Sequence, residues 1–233
     1  MKQATAYIAQ DPAILKKVSL SERLPDPAIL YHATSPLDKK VNRLLKRSLD
    51  LAVSSVLLLT VFILLLPIIA LLIRLDSKGP VFFLQKRNKK KGLLFSCIKF
   101  RTMVVNEFAD VLPAYLDDKR ITRVGKYLRR YHLDELPQLL NVWWGDMSLV
   151  GPRPYMVSEN EKFGRQIRHY PLRHQVKPGI TGLAQASGLF GCLVGSSEMQ
   201  DRIALDLKYI HSWSFGLDLR ILARTMKIAF RKS

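Results

Sequence analysis

From Leu51 to Ile73 the chain runs 23 residues without a charge, LAVSSVLLLTVFILLLPIIALLI. At about 1.5 Å per residue, a helix of that length matches the hydrocarbon thickness of a bilayer. The run starts well inside the chain and ends without a small-residue cleavage site, so it predicts a membrane segment and not a cleavable signal. Pro67 sits within it. Its ring collides with the Ile63 carbonyl and it has no N–H to donate, which predicts a break in the helix. Both flanks are basic: Lys39, Lys40, Arg43, Lys46 and Arg47 before the run, and Arg74, Lys78, Lys86, Arg87, Lys89, Lys90 and Lys91 after it. Basic flanks favour the cytoplasmic side. Two arrangements stay open on these residues: a helix bent at Pro67 that enters and leaves by one face, and a span that Pro67 merely kinks.

Elsewhere the periodicities are shorter. Residues 1–40 carry Pro12, Pro25, Pro27 and Pro36, which predicts a partly helical, loosely attached extension. Residues 81–103 read as two apolar segments around a basic turn ending at Gly92, either a β-hairpin or an interfacial loop. The acidic stretch 104–118 predicts a short helix and a loop. Ile121, Val124, Tyr127, Leu128 and Tyr131 recur at helical spacing, and a further helix is predicted from Leu133 to Trp144, closed by Gly145. Near the C-terminus, Leu219, Leu222, Ala223, Met226 and Phe230 form an apolar stripe opposite Arg220, Arg224, Lys227 and Arg231. Such a helix suits an anionic membrane surface, or a core on which it packs with a solvated basic face.

Composition narrows the partners. Lys and Arg number 37 against 19 Asp and Glu, a net charge of +18, which calls for a polyanionic neighbour: nucleic acid, an anionic membrane face or a phosphorylated substrate. An apolar content of 48% excludes global disorder. Cys97 and Cys192 are too few for a disulfide framework, and no His/Cys cluster has zinc spacing.

The sharpest candidate chemistry is Leu133-Asp134-Glu135-Leu136-Pro137-Gln138. Proline fits a first helical turn, which puts Asp134 and Glu135 beside free N–H groups that favour carboxylates and phosphate alike. One acid can serve as nucleophile while the other helps hold a divalent cation; acids are also common in the first turn of any helix. In Gly151-Pro152-Arg153-Pro154 two prolines stiffen the backbone around a guanidinium, as a phosphate clamp requires. Lys177-Pro178-Gly179-Ile180-Thr181-Gly182 is a turn-rich basic segment suited to presenting backbone N–H groups.

In this order, after a proline-bearing membrane segment, these blocks resemble the bacterial sugar transferase family, the monotopic polyprenyl-phosphate phosphoglycosyl transferases. The similarity runs over about residues 43–230 and is carried by KRSLDL at 46–51, IKFRTM at 98–103, TRVGKYLRRYHLDELPQLLNV at 122–142, GDMSLVGPRP at 145–154 and KPGITGLAQASG at 177–188. The resemblance implies an α/β, mostly helical fold: an extension at 1–42, a re-entrant membrane helix hairpin at 43–80 broken at Pro67, and a cytoplasmic catalytic domain at 81–233 with amphipathic interfacial helices and few strands. It implies transfer of a sugar 1-phosphate from a UDP-sugar to undecaprenyl phosphate at the bacterial inner membrane, with release of UMP, as the start of a surface polysaccharide or glycan. Asp134 is then the nucleophile that forms a covalent phosphosugar, and Glu135 its partner with Mg²⁺, which of the two ligates the metal being left open. Arg129, Arg153 and Lys177 are the phosphate-binding set, and membrane lipids are the surroundings. Nucleic acid is not expected as a partner, and the oligomeric state is left open. A basic membrane-anchored adaptor and an inactive scaffold of the same fold are the alternatives. The sequence departs from the family pattern at Leu66-Pro67 (usually Ser-Pro), Lys177 (usually Arg), Leu183 (often Trp), Ala186-Ser187 (often Val-Asn) and His132 (often Ser).

Overall fold

A computed structural model of the chain describes residues 34–107, 109, 112, 114–115, 118–189 and 196–231. The extension expected at 1–42 therefore lies mostly outside the described residues. The fold is mainly helical, with one long apolar helix and two small two-stranded sheets.

The long helix, α1, runs from Lys40–Asp76. Its helical pattern continues through Pro67, so the break expected at that residue does not interrupt the helix. The departure from α geometry lies upstream, in a π turn at Leu58–Phe62 closed by the Ile63 N–H on the Leu58 carbonyl. Ile63, which follows that turn, stands four residues before Pro67. Beside it, the Thr60 hydroxyl donates to the Val56 carbonyl at 2.7 Å. One face of α1 stays bare, with Leu59, Leu64, Ile68, Leu71 and Leu75 all more than half exposed.

Both ends of α1 are tied to the polar body. At the first, Lys46, Asp50 and Ser54 are buried. Asp50 Oδ1 accepts from Ser148 Oγ and the Leu149 N–H, both at 2.9 Å. At the second, Asp76 Oδ2 accepts the Val124 N–H at 2.9 Å. There Arg101 gathers the exit turn, donating to Ser77 Oγ at 2.6 Å, the Ser77 carbonyl at 2.7 Å and the Pro80 carbonyl at 2.6 Å.

After α1 come β1 (Phe82–Asn88) and β2 (Leu94–Phe100), an antiparallel hairpin in the register Phe82↔Phe100 to Asn88↔Leu94. This settles the hairpin against the interfacial loop. The short helix expected within 104–118 is absent from the described residues there, which are turn, bend or irregular. Next follow α2 (Arg123–Arg130), α3 (Gln138–Trp144), β3 (Ser148–Val150), α4 (Val157–Gln166), β4 (Gly179–Thr181), α5 (Leu183–Ala186), α6 (Ser196–His211) and α7 (Phe215–Arg231). Strands β3 and β4 are parallel, pairing Ser148 with Gly179 and Val150 with Thr181. One apolar core gathers Cys97, Val142, Met147, Val150, Met199, Leu207 and Ile210; a smaller one packs Phe62, Ile69 and Ile73 of α1 on Phe100 and Leu128.

Two amphipathic helices show how the predicted stripes are used. In α2 Leu128 is buried but Tyr127 and Tyr131 are exposed. Helix α7 packs through Asp218 and Ile221, and Thr225 pairs with Thr181 at 2.6 Å. Its stripe of Leu219, Ala223 and Met226 is left outside next to Arg220, Arg224 and Lys227. Leu217, Ile221 and Leu222 meet the core beside Asp218, and the exposed part of the stripe is what the membrane-surface reading of this helix requires. The side chains of Phe230 and Arg231 lie outside the described set.

Candidate active site

The site is built on the short link between α2 and α3. Thr122 caps α2, its hydroxyl accepting the Gly125 N–H at 3.0 Å. After α2 the chain turns through His132, whose φ of 55° is left-handed, into a single 3₁₀ turn at Leu133–Glu135. The predicted helix from Leu133 thus takes α geometry only at Gln138. Pro137 has no N–H for the Leu133 carbonyl, which accepts from Leu136 at 3.1 Å instead. The predicted stop holds: Gly145 closes α3 at φ 94°, donating to Asn141 and Val142.

This turn gives the two acids different surroundings. Glu135 is clamped: Lys99 Nζ lies 3.0 Å from Oε1, and Arg153 donates Nη2 to Oε1 at 2.6 Å and Nη1 to Oε2 at 3.3 Å. Asp134 is 8% exposed, and no hydrogen bond reaches its carboxylate among the described residues. Burial pushes the Asp134 carboxyl above the usual range, outweighing the pull of Lys99, and the Glu135 charge pushes the same way. Burial acts upward on Glu135 as well, but Arg153 and then Lys99 overcome it and hold that carboxyl well below its ordinary value. Neighbouring carboxylates driven apart in this way mark a division of roles. Arg129 donates Nε to Thr102 Oγ1 at 2.7 Å and adds a positive charge toward Asp134.

Arg153 stands on a loop held by its carbonyls. Lys46 Nζ reaches the Val150 carbonyl at 2.9 Å and the Gly179 N–H reaches that of Pro152 at 2.9 Å. Arg173 Nη2 binds the Arg153 carbonyl at 2.7 Å, and Arg87 Nη1 takes that of Pro154. The segment 177–182, expected to offer N–H groups to phosphate, gives that of Gly179 to this loop and accepts the Ser148 and Gly151 N–H groups through its carbonyls. Its strand β4 lies so close to the Arg153 loop that a Cβ on Gly179 would fall 2.1 Å from the Gly151 nitrogen. It is scaffold for the Arg153 loop.

The structure brings Asp134, Glu135, Arg129 and Arg153 together. Lys177 stands elsewhere: it is half-buried by Gly145, and the charges that act on it are those of Arg47, Asp50, Asp146 and Lys90. Sequence reasoning missed Lys99, although the IKFRTM block contains it. A strand places Lys99 on the face opposite Ile98 and Phe100, and that alternation was the available signal. Among the described residues no group of three or more His, Cys, Asp or Glu is arranged to hold a metal.

A long apolar helix, docked at both ends on a small α/β body in which Arg153 and Lys99 hold one of two adjacent acids, is the architecture of a membrane-associated protein. More specifically, the chain belongs to the bacterial sugar transferase family, whose model matches residues 41–232. It is 48% identical over 193 residues to a Klebsiella pneumoniae UDP-glucose:undecaprenyl-phosphate glucose-1-phosphate transferase, covering 82% of this chain and 41% of that protein. To the protein of the same name from Caulobacter vibrioides it is 46% identical over 192 residues, 82% of this chain and 72% of the relative. An Aeromonas hydrophila UDP-N-acetylgalactosamine-undecaprenyl-phosphate N-acetylgalactosaminephosphotransferase is 39% identical over 194 residues, 83% of this chain and 45% of the relative. The chain thus spans less than half of two of these proteins.

Proposed function

We propose that the protein transfers a hexose 1-phosphate from a UDP-sugar to undecaprenyl phosphate at the bacterial inner membrane, releasing UMP and starting a surface glycan. The names of the relatives make UDP-glucose the first donor to try. The observation that carries the mechanism is the asymmetry of the acidic pair: Glu135 held by Arg153 and Lys99, Asp134 held by no donor.

Phosphoryl transfer is governed by positioning and charge neutralisation. In the first step an Asp134 oxygen attacks the sugar-bearing phosphorus. The bond from that phosphorus to the bridging oxygen breaks, and its electron pair leaves with UMP. In the second an oxygen of the lipid phosphate attacks the same phosphorus and the Asp134 carboxylate departs, regenerated. Arg153 and Arg129 supply positive charge to the donor phosphates. Glu135 keeps Arg153 and Lys99 aimed at the site.

The donor set fits Mg²⁺, which is commonly held by one or two carboxylates and completed by substrate phosphates and water. Asp134 and Glu135 are the residues that would hold it, and it would neutralise diphosphate charge. The membrane arrangement we favour is re-entrant, with the polar body on the cytoplasmic side. In support, Lys46 near one end of the apolar run and Asp76 beyond the other are bonded to the same body, and both flanks are basic.

The test is nucleotide release by purified protein with Mg²⁺, undecaprenyl phosphate and a panel of UDP-sugars. UMP released with one sugar, and lost in Asp134→Asn, supports the reading. Release of UDP overturns the reaction type, and no release from folded protein favours an inactive scaffold. Cysteines placed before Leu51 and after Ile73 test topology: labelling of the two from opposite faces overturns the hairpin.

A further inference from the structure

Arg173 is a cation with 2% of its surface exposed, in the 3₁₀ segment Tyr170–Gln175. Burying a guanidinium is costly unless it is paired and its donors are used. Both conditions are met. Asp206 of α6 takes Nε at 3.1 Å and Nη2 at 2.7 Å through one oxygen. The charged carbon sits 4.6 Å from the Tyr155 ring centre and 5.3 Å from that of Tyr170, within cation–π range. The remaining reach of Nη2 goes to the carbonyl of Arg153 at 2.7 Å.

That last bond ties a buried structural pair to the site. Arg153 projects toward Glu135 with 31% of its side chain exposed, so its own guanidinium is not confined by packing alone. Its carbonyl is pinned by Arg173, and Asp206 in turn keeps Arg173 from swinging.

We infer that Arg173 is a positioning residue, fixing the backbone of Arg153 so that the Arg153 guanidinium meets Glu135 and the donor phosphates in one orientation. The assignment rests on the phosphosugar-transfer reading above. It deepens that reading by placing the origin of loop rigidity at the Arg173–Asp206 pair, outside the reacting groups.

A double-mutant cycle between Arg173→Lys and Arg153→Lys tests it, read as kcat/KM for UMP release from the UDP-sugar that wild type uses. Arg173→Lys keeps a cation opposite Asp206 and loses the two-way fork. Alone it is expected to lower kcat/KM about tenfold, with the loss in kcat greater than in the KM for undecaprenyl phosphate. In the Arg153→Lys background it should cost less than about twofold, because the group it positions has already lost its geometry. An equal loss in both backgrounds overturns the assignment and makes Arg173 a structural residue only. If Arg173→Lys fails to fold, Asp206→Asn is read in the same cycle, with the same two outcomes. Wild type without UMP release, by contrast, overturns the functional reading itself and this assignment with it.

Discussion

The Lys46 ammonium and the Asp218 carboxylate meet at 2.8 Å, with side-chain exposures of 10% and 0%. The same Nζ also donates to the Val150 carbonyl and to Tyr209 Oη, each at 2.9 Å, while Trp213 Nε1 donates to Asp218 at 3.1 Å. A basic residue just before the apolar run is therefore an internal anchor joining α1, β3 and α7, and not one more contributor to the +18 charge.

Asp218→Asn should consequently be among the most damaging single changes outside the site. It leaves the Lys46 charge buried without its counter-ion, which costs about 3–5 kcal/mol. Replacing the pair together, Lys46→Met with Asp218→Leu, should recover much of that loss. Thermal unfolding in detergent or nanodiscs measures both; equal destabilisation by the single and the double change would contradict the account.

Asp134→Asn should abolish UMP release, by at least ~10³-fold, and at the same time stabilise the fold. The sign follows from the direction of its shift. The folded carboxyl titrates above the value of 3.8 that an unstructured aspartate has. As pH rises past 3.8 the unfolded chain gives up its proton first, and the penalty on the folded state is complete once the folded carboxyl has also ionised. Asparagine removes that penalty, so the midpoint near neutral pH should rise by about 2–4 °C for each kcal/mol relieved. The acid limb of wild-type kcat/KM should likewise fall above the ordinary aspartate range, because the nucleophile must be ionised. A pH–rate profile checks the second point and scanning calorimetry the first.

His174 gives a separate stability window. Burial, followed by the Arg173 charge, brings its pKa from 6.5 down to about 4. Between those values the unfolded chain binds a proton that the folded state refuses, so stability should drop as pH falls from 6.5 to about 4 and level off below. One proton limits the slope to about 1.4 kcal/mol per pH unit. His174→Gln should flatten the curve in that interval. Urea titrations at stepped pH, compared between the two proteins, measure it.

Gly125→Ala should damage stability and activity together. A Cβ there would fall 2.1 Å from the Thr102 carbonyl oxygen, a backbone atom with little room to retreat. Overpacking of this kind costs about 1–3 kcal/mol or more. Separating α2 from Thr102 also pulls Arg129 from its 2.7 Å bond to the Thr102 hydroxyl. Chemical denaturation and UMP release, measured on one preparation, should fall in parallel.

The parts of this arrangement legible in the sequence are those set by neighbours along the chain. The uncharged run announces α1, Gly145 announces the end of α3, and the basic turn ending at Gly92 marks where the chain reverses, though not that its two arms pair as strands. The acid pair was legible because Asp134 and Glu135 are adjacent. What could not be read comes from contacts between distant segments. Lys99 reaches Glu135 across 36 positions and Arg173 reaches Asp206 across 33, and nothing in the spacing of either pair signals a bond. Pro67 reports only a missing donor, and the helical pattern runs on through it after a widened turn at Leu58–Phe62. The Lys177–Gly182 segment looked like an anion cradle because its glycines are permissive. Their use is the close passage of one backbone past another.

That passage has a consequence for how variation is distributed. Strands β3 and β4 meet main chain to main chain at Gly151 and Gly179, and a contact made between peptide groups is blind to the side chains beyond it. The approach therefore fixes residue type at these two positions, and a side chain at either one would force the two segments apart.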